Sequence, residues 1–129
     1  MAEHFAYREI TEKIIGCSMK VHRFFGLGFK EEIYERSLMI ELKNAGLNCA
    51  SQMSRDIFYY DRWVGSSRLD LLIEDVVLLE LKAVSKIEEE HCNRILNYLK
   101  IFKVEVGLLI NFGAQSLQIK RFAYSGQSA

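Results

Sequence analysis

The sequence of 129 residues contains no proline, carries no net charge at pH 7 and has no long uncharged apolar run. Without proline, all turns must be made by glycine, asparagine, aspartate and serine. Lysine plus arginine equals aspartate plus glutamate at 17 each, so the overall charge gives no indication of a nucleic-acid partner. A local basic surface is still compatible with this balance. The apolar runs are broken by charge well short of a membrane span, and we therefore expect no membrane association.

Cysteine is also scarce, with Cys17, Cys49 and Cys92 at wide separations. This odd number and spacing fit neither a paired-cysteine zinc site nor a disulfide framework. We therefore expect buried, reduced thiols and a cytoplasmic location. The N-terminal residues 1–4 run directly into a charged amphipathic stretch, which is not the pattern of a signal peptide.

The composition that remains is typical of a soluble globular protein, since half of the residues are hydrophobic and 26% are charged. A chain of this length can bury a substantial core, and we expect a single domain over residues 1–129. The chain end, about residues 125–129, is expected to form a flexible tail.

Periodic apolar residues predict three helices. Their expected ranges are 5–25, 30–45 and 86–102. The first carries an apolar stripe that includes Ile14, Val21 and Phe24. The third is predicted to follow a capping box, in which Ser85 and Glu88 satisfy each other's free backbone amides.

Apolar, β-branched and aromatic runs predict strands between and after these helices. Their expected ranges are 47–53, 56–60, 67–73, 76–84, 104–111 and 117–122. The order is two helices, a meander of strands, a crossover helix and two further strands. This order predicts an α/β fold with one mixed sheet flanked by helices.

Three charged residues interrupt the most apolar part of the sequence. Asp70 lies in the run 69–73, and Glu80 and Lys82 lie in the run 76–84. Strands this apolar are covered on both faces, where burying a charge costs several kcal/mol. The charges are therefore predicted to serve chemistry, most simply by holding a divalent metal ion. The alternative explanation is a structural ion-pair network within the sheet.

The spacing of these residues makes a geometric prediction. Glu80 and Lys82 are two apart and share one face of a strand, while Leu81 between them offers its backbone carbonyl as a ligand. A two-residue turn before this strand would place Asp70 on the face opposite Glu80, whereas a three-residue loop at 74–76 places the two side by side. We predict this odd-length loop, or a bulge with the same effect.

Glu31 is a further candidate ligand. It lies three residues before Tyr34 and seven before Leu38, and it therefore begins the inward face of the second helix. By the same spacing, Glu32 faces outward. The alternative explanation for an inward carboxylate is its favourable position near the positive end of the helix dipole.

Several motifs in a fixed order resemble one known family. The segment 28–34 (GFKEEIY) matches a GxxExxY motif, and Asp70, Glu-x-Lys at 80–82, HCNRILNYLK at 91–100 and VGLLINFG at 106–113 follow it. Over about residues 10–122, the chain resembles the GxxExxY protein family, a branch of the PD-(D/E)XK nuclease-like superfamily. Asp followed by Glu-x-Lys is a weak pattern alone, and the ordered set carries the resemblance.

The resemblance implies a restriction-endonuclease-like mixed β-sheet flanked by helices, and hydrolysis of phosphodiester bonds in DNA or RNA. It implies that Asp70, Glu80 and the Leu81 carbonyl bind Mg²⁺ or Mn²⁺. It further implies that Lys82 orients and activates the attacking water, and that Glu31 completes the site directly or through water.

One position departs from the family pattern. Most members have Gln-x-x-x-Tyr on the third helix, where this chain has Tyr98 but carries Arg94 in place of the glutamine. Arginine could clamp a scissile phosphate, or it could pair with Glu80 and neutralise the metal site. The second case gives the alternative function, a catalytically inactive nuclease-fold module that binds nucleic acid or a protein partner. His91, on the same helix, is either a site residue or a core histidine.

Surface cations and chain size bear on the nucleic-acid partner. Several basic side chains are candidates for contacts to backbone phosphates: Arg55, Arg62, Arg68, Lys100 and Lys103. For each one, a solvated surface charge is the simpler alternative. A domain of this size would need a partner or a second copy to grip a duplex, so a homodimer is one expectation.

Overall fold

The computed structural model describes residues 7–124, and the tail predicted at 125–129 lies outside this range. The helices are α1 (Arg8–Phe25), α2 (Glu31–Asn44) and α3 (Glu89–Phe102), and the strands are β1 (Cys49–Ser51), β2 (Ser54–Tyr59), β3 (Arg62–Arg68), β4 (Leu71–Ile73), β5 (Val77–Lys82), β6 (Val106–Asn111) and β7 (Gln118–Ala123). Within the described range, no helix is long and apolar enough to cross a membrane.

Five strands form one mixed sheet in the order β1-β4-β5-β6-β7. Strands β5 and β6 are parallel and α3 connects them, while the other neighbours are antiparallel. A parallel pair needs such a crossover connection, whereas the antiparallel neighbours β4 and β5 need only a short loop. The predicted α/β architecture, a mixed sheet flanked by helices, is confirmed.

Alternating residues of β5 explain why this strand is so apolar. Leu79 and Leu81 pack in the core layer of α1 and α2, whereas Leu78 packs in the layer of α3. The side chains of Tyr34 and Leu38 on α2 are fully buried in the first layer, as predicted. A central strand with helices on both faces must therefore be apolar on both faces.

The apolar stripe predicted for α1 is correct except at its end. Ile14 and Val21 are buried, but Phe24 is 81% exposed and Phe25 packs against the core instead. The helix ends at Gly26 with a positive φ of 67°, and the chain then brings Phe29 to within 5.0 Å of the Phe25 ring. Phe25 lies one full turn beyond Val21, so it continues the buried face.

The single strand predicted at 67–73 is wrong, because the chain changes partner within it. Residues up to Arg68 belong to β3, which pairs with β2 in a separate two-stranded sheet, and β4 starts only at Leu71. In the facing segment between β1 and β2, Gln52 has a left-handed φ of 54° and donates its backbone N–H to the Asp70 carbonyl at 2.9 Å. This bend separates β1 from β2, which leaves β1 with three residues instead of the predicted seven.

Helix α3 begins three residues later than predicted. The capping box joins Glu88 and His91, with the Glu88 N–H donating to His91 Nδ1 at 2.9 Å, and not Ser85 and Glu88. The reason is tertiary, since Val84 is bound through both its N–H and its carbonyl to the side chain of Asn111. These two bonds hold the chain before Ser85 in a non-helical conformation.

All three cysteines are free, as predicted, but among the described residues none of them is fully buried. Burial raises the pKa of the Cys17 and Cys49 thiols above the ordinary value. A raised pKa lowers the thiolate fraction, which is the reactive form. The expectation of unpaired thiols was correct, whereas the three side chains expected to be buried are only partly buried.

Candidate active site

The β4–β5 connection has the predicted odd length. Leu71 pairs with Leu79 and Ile73 pairs with Val77, which leaves a three-residue loop at 74–76. Glu74 and the next residue adopt left-handed φ values of 53° and 60° in this loop. Continuing this register by one step puts Asp70 directly opposite Glu80, at the point where β4 begins.

Asp70 is held against the backbone of β5. Its Oδ2 accepts a hydrogen bond of 2.8 Å from the Leu81 N–H. Burial raises the pKa of this carboxyl, while the Leu81 bond and the charge of Lys82 act in the opposite direction. One oxygen of Asp70 is therefore bound to the backbone, and the carboxyl group lies in a partly desolvated position near the charges of Lys82 and Arg94.

Glu80 is the most unusual side chain of the region, because it is a carboxyl group that is only 3% exposed. Its Oε1 is buried and accepts no hydrogen bond from the residues that the structure describes. Burial, and then repulsion from Asp70, raises the pKa of Glu80 to about 8. A buried oxygen without a partner is costly unless a proton or a cation satisfies it.

The backbone N–H and carbonyl groups of Leu81 point towards Asp70. The Leu81 N–H donates to Asp70, whereas the carbonyl of the next residue, Lys82, accepts from Phe112 at the end of β6. Successive strand residues direct their backbone groups to alternate neighbours, so the Leu81 carbonyl also points towards Asp70. The Lys82 side chain lies on the face of β5 that carries Glu80.

Helix α2 contributes two carboxylates, of which sequence reasoning found one. Glu31 is half-buried and Glu32 is exposed, as the helical spacing predicted. Burial raises the pKa of Glu31, Lys82 lowers it and Asp70 raises it further, so these charges interact. Glu35, one turn later, was missed although it stands at i+4 from Glu31.

Glu35 is part of the same acidic region. Its Oε2 accepts a 3.0 Å hydrogen bond from Gln52 Nε2, and Gln52 itself is bound through its backbone to Asp70. Burial raises the pKa of Glu35, the Gln52 bond lowers it, and the charge of Asp70 raises it. The acidic region therefore extends along the inward face of α2 beyond the predicted residues.

Arg94 lies on the α3 side of the region and binds Tyr98. Its Nε donates to the Tyr98 hydroxyl at 2.7 Å, and the same nitrogen is 3.8 Å from Glu80 Oε2. The Arg94 side chain is 56% exposed, whereas Tyr98 is buried. The contact to Glu80 is long for an ion pair, so the guanidinium is positioned by Tyr98 more than by Glu80. His91 takes part in the cap of α3, where its Nδ1 accepts a hydrogen bond from the Glu88 N–H.

A buried clamp that sequence reasoning missed holds the chain just after Lys82. Asn111 is fully buried opposite Lys82 in the parallel register. Its Oδ1 accepts from the N–H groups of Val84 and Gly113, at 2.9 Å and 3.0 Å, and its Nδ2 donates to the Val84 carbonyl at 2.8 Å. The signal was a single polar residue at the end of the apolar run 106–111.

The residues fit a divalent cation as a small set of oxygen donors. Among residues 7–124 there is no group of three or more His, Cys, Asp or Glu side chains close enough together to hold a metal ion. The Asp70–Glu80 pair still offers the partnerless Glu80 Oε1, whose carboxyl group interacts with Asp70. Mg²⁺ commonly keeps several waters and uses one or two carboxylates, which suits this set.

Comparisons with known proteins agree with the fold. A family model described as the PD-(D/E)XK nuclease superfamily matches residues 8–122, from the first turn of α1 into β7. No curated protein matches the sequence. The crystal structure of SSO0001 is similar with a TM-score of 0.60 and 18% identity, over 71% of this chain and 48% of that one. This chain thus spans about half the length of that protein, and the likeness shows the fold alone. Because the family model covers nearly the whole sequence, the chain belongs to the PD-(D/E)XK nuclease superfamily.

Proposed function

We propose that the protein is a metal-dependent nuclease that hydrolyses phosphodiester bonds of nucleic acid with Mg²⁺ or Mn²⁺. The observation that carries the proposal is the buried Glu80 carboxyl, whose Oε1 lacks a partner among the described residues while Asp70 stands beside it. Superfamily membership supports the same chemistry. The narrower assignment to the GxxExxY family and the cytoplasmic location are part of this proposal, and the sequence motifs and the unpaired cysteines support them.

Each residue of the site has a separate proposed role. Asp70, Glu80 and the Leu81 carbonyl would hold the ion, which when bound supplies a Lewis acid and lowers the pKa of a bound water. Lys82 would orient the attacking water and stabilise negative charge at the phosphate. Glu31 interacts with the charges of Lys82 and Asp70 and would contribute through water.

A cleavage screen with Mg²⁺ and with Mn²⁺ tests this proposal on single- and double-stranded DNA and RNA. We expect cleavage by the wild type and a loss of about 100-fold or more in Asp70→Asn and Lys82→Ala, because each removes a charge at the reacting centre. Asp75→Asn is the matched control: it is exposed, lies in the same hairpin loop, and its φ of 60° is one that asparagine tolerates. A wild type that cleaves none of the substrates contradicts the proposal.

Calorimetric titration with Mn²⁺ separates the nuclease from the inactive module. The nuclease predicts a binding heat in the wild type that disappears in Asp70→Asn, because this carboxylate is a proposed ligand. The module predicts no heat in either protein. The Asp75→Asn control is expected to bind the ion as the wild type does.

Arg94 is predicted to bind the substrate phosphate. It is half-exposed, and Tyr98 holds it in place beside the site. We expect Arg94→Gln to raise KM about tenfold with little change in kcat, the factor expected for one lost charge-assisted hydrogen bond. Steady-state kinetics measure the split, and Arg36→Gln on the outer face of α2 is the control. A rise in kcat in Arg94→Gln would instead identify Arg94 as an inhibitory partner of Glu80.

A further inference from the structure

The β2–β3 hairpin, residues 54–68, displays four large aromatic side chains to solvent. Phe58, Tyr59, Tyr60 and Trp63 are 57%, 67%, 86% and 61% exposed. None of the four belongs to either core cluster formed by the described residues. Such a concentration of exposed aromatic surface is unusual and indicates a binding surface.

Contacts within the hairpin help to position several of these rings. Phe58 and Trp63 are directly opposed across the hairpin and therefore share a face. The Trp63 Nε1 donates to Asp56 Oδ1 at 3.0 Å, which fixes the indole plane. At the turn, the ring centroids of Tyr59 and Tyr60 are 4.7 Å apart at an angle of 68°. Stacking a planar ligand on these rings would thus cost little side-chain entropy.

The charges of the hairpin suit a polyanion. The exposed Arg68, at the base of β3, lies on the same face as Phe58 and Trp63, whereas the exposed Arg62 lies with Tyr59 on the other face. The segment contains three arginines and two aspartates, in a chain with no net charge, and Asp56 accepts the indole N–H. Aromatic rings interleaved with arginines are the combination that binds bases and phosphates of single strands.

The hairpin is also continuous with the candidate active site. Below β2 and β3, the Leu69 N–H donates to the Met53 carbonyl at 3.1 Å, and the Gln52 N–H donates to the Asp70 carbonyl at 2.9 Å. The same ladder therefore runs from the aromatic rings down to the carboxylate pair. Trp63 is at most about 23 Å of extended chain from Asp70. About seven nucleotides at a rise of 3.4 Å span this length.

We propose that this aromatic hairpin binds unpaired nucleotides of a single-stranded nucleic acid, with bases stacked on Tyr60 and Trp63 and a phosphate at Arg68, which lies on the Trp63 face. The inference rests on the proposed nuclease function and specifies its substrate as single-stranded, or as containing an unpaired segment. Inside a duplex, neighbouring base pairs stack on each other and cover the faces of the bases, so these rings discriminate against fully paired nucleic acid.

Intrinsic fluorescence provides a direct test, because Trp63 is the only tryptophan of the sequence. We expect a single-stranded oligonucleotide of about 12 nucleotides, which spans the hairpin and the site, to quench Trp63 in the presence of EDTA. A blunt duplex of the same sequence should bind at least about tenfold more weakly, because its bases are already stacked. EDTA prevents metal-dependent cleavage, so the measurement reports binding alone.

Variants locate the contact. Tyr60 has a left-handed φ of 57°, so Tyr60→Asn removes the ring without forcing the turn to change. We expect Tyr60→Asn to weaken single-strand binding about 10- to 100-fold, the range for one lost stacked base. Trp63→Leu should weaken single-strand binding by a similar factor, measured by the fluorescence anisotropy of a labelled oligonucleotide because the variant has no tryptophan. Phe24→Ala, which removes an exposed ring from α1, should have no effect.

Three results would overturn the inference: unchanged affinity in both hairpin variants, equal affinity for the duplex, or a change from dimer to monomer in Tyr60→Asn by sedimentation. The last result would identify the hairpin as an interface between two copies of the chain. A wild type that binds single strands with quenching but never cleaves them would overturn the nuclease proposal and leave the hairpin site intact.

Discussion

Replacing Glu80 with glutamine is expected to abolish metal-dependent cleavage and to make the stability of the metal-free protein less dependent on pH. Glutamine has nearly the same shape but carries no negative charge and does not titrate. It would remove a proposed cation ligand, and we expect a loss of about 100-fold or more in cleavage rate. The same substitution relieves the cost of a buried carboxylate, so the variant should remain folded.

The direction of the pH effect follows from the pKa of Glu80, which burial and Asp70 raise from 4.5 to about 8. Between these two values, the folded protein keeps a proton that the unfolded chain releases. The stability linked to Glu80 is therefore fully present below about pH 4.5 and is lost as the pH rises to about 8. Within this window, the free energy of unfolding should fall by up to about 1.4 kcal/mol per pH unit.

Urea unfolding in EDTA measures this slope between a pH of about 5 and a pH of about 8. Glu80→Gln should give a shallower slope than the wild type, and not a flat one, because burial also raises the pKa of Asp70 and of Glu31. The Asp75→Asn control should keep the wild-type slope. Equal slopes in wild type and Glu80→Gln would show that Glu80 is not a perturbed group.

Divalent metal should reverse the loss of stability at high pH. At a pH of about 8, Mn²⁺ at 100 times its Kd should stabilise the wild type by about 2.7 kcal/mol, because it binds only the folded state. Glu80→Gln should gain much less, since its amide group lacks the negative charge of the carboxylate that is proposed to bind the ion. Stabilisation of both proteins by the same amount would place the ion elsewhere.

Among the glycines of residues 7–124, Gly113 is the one where replacement by alanine is expected to cause the largest loss of stability. A Cβ at this position would lie 2.4 Å from both the backbone nitrogen and the carbonyl oxygen of Val84. Two backbone segments must move apart to make room, at a cost of about 1–3 kcal/mol or more. The move also breaks bonds of the Asn111 clamp, which holds the chain just after Lys82. We therefore expect cleavage to fall even under conditions where the variant is fully folded.

Gly16→Ala is the matched control for this substitution. Gly16 lies inside α1, and a Cβ there would meet none of the described atoms within 4 Å. Alanine in an exposed helix interior should raise the free energy of unfolding by about 0.5–1 kcal/mol. Thermal and urea unfolding of the two variants should therefore shift in opposite directions. If Gly113→Ala and Gly16→Ala were equally stable, the close approach of Gly113 to Val84 would not constrain the stability of the fold, and this prediction would be wrong.

Local patterns in the sequence predicted the parts of the site that depend on neighbouring residues. Helical spacing placed Glu31 on the inward face of α2, and the requirement that Asp70 meet Glu80 predicted the odd-length loop at 74–76. Glu35 was also within reach of this reasoning, because it follows Glu31 at helical spacing. These features depend on periodicity and register, which a few consecutive residues specify.

Long-range contacts decided the features that the sequence patterns predicted wrongly or not at all. The left-handed bend at Gln52 and its bond to Asp70 divided one predicted strand into β3 and β4, and the Asn111 bonds to Val84 delayed the start of α3. Each contact joins residues that are far apart in the chain, so no local pattern contains it.

The sequence by itself determined the α/β architecture, the superfamily motifs and the identity of the charged residues proposed for the site, because periodicity and residue identity are local properties. The tertiary structure alone decided that Glu80 Oε1 is buried without a partner among the described residues, that Tyr98 orients Arg94, and that the aromatic residues of the β2–β3 hairpin stand outside the core. Burial and partner choice depend on which distant segments cover a side chain, and only the folded chain brings those segments together.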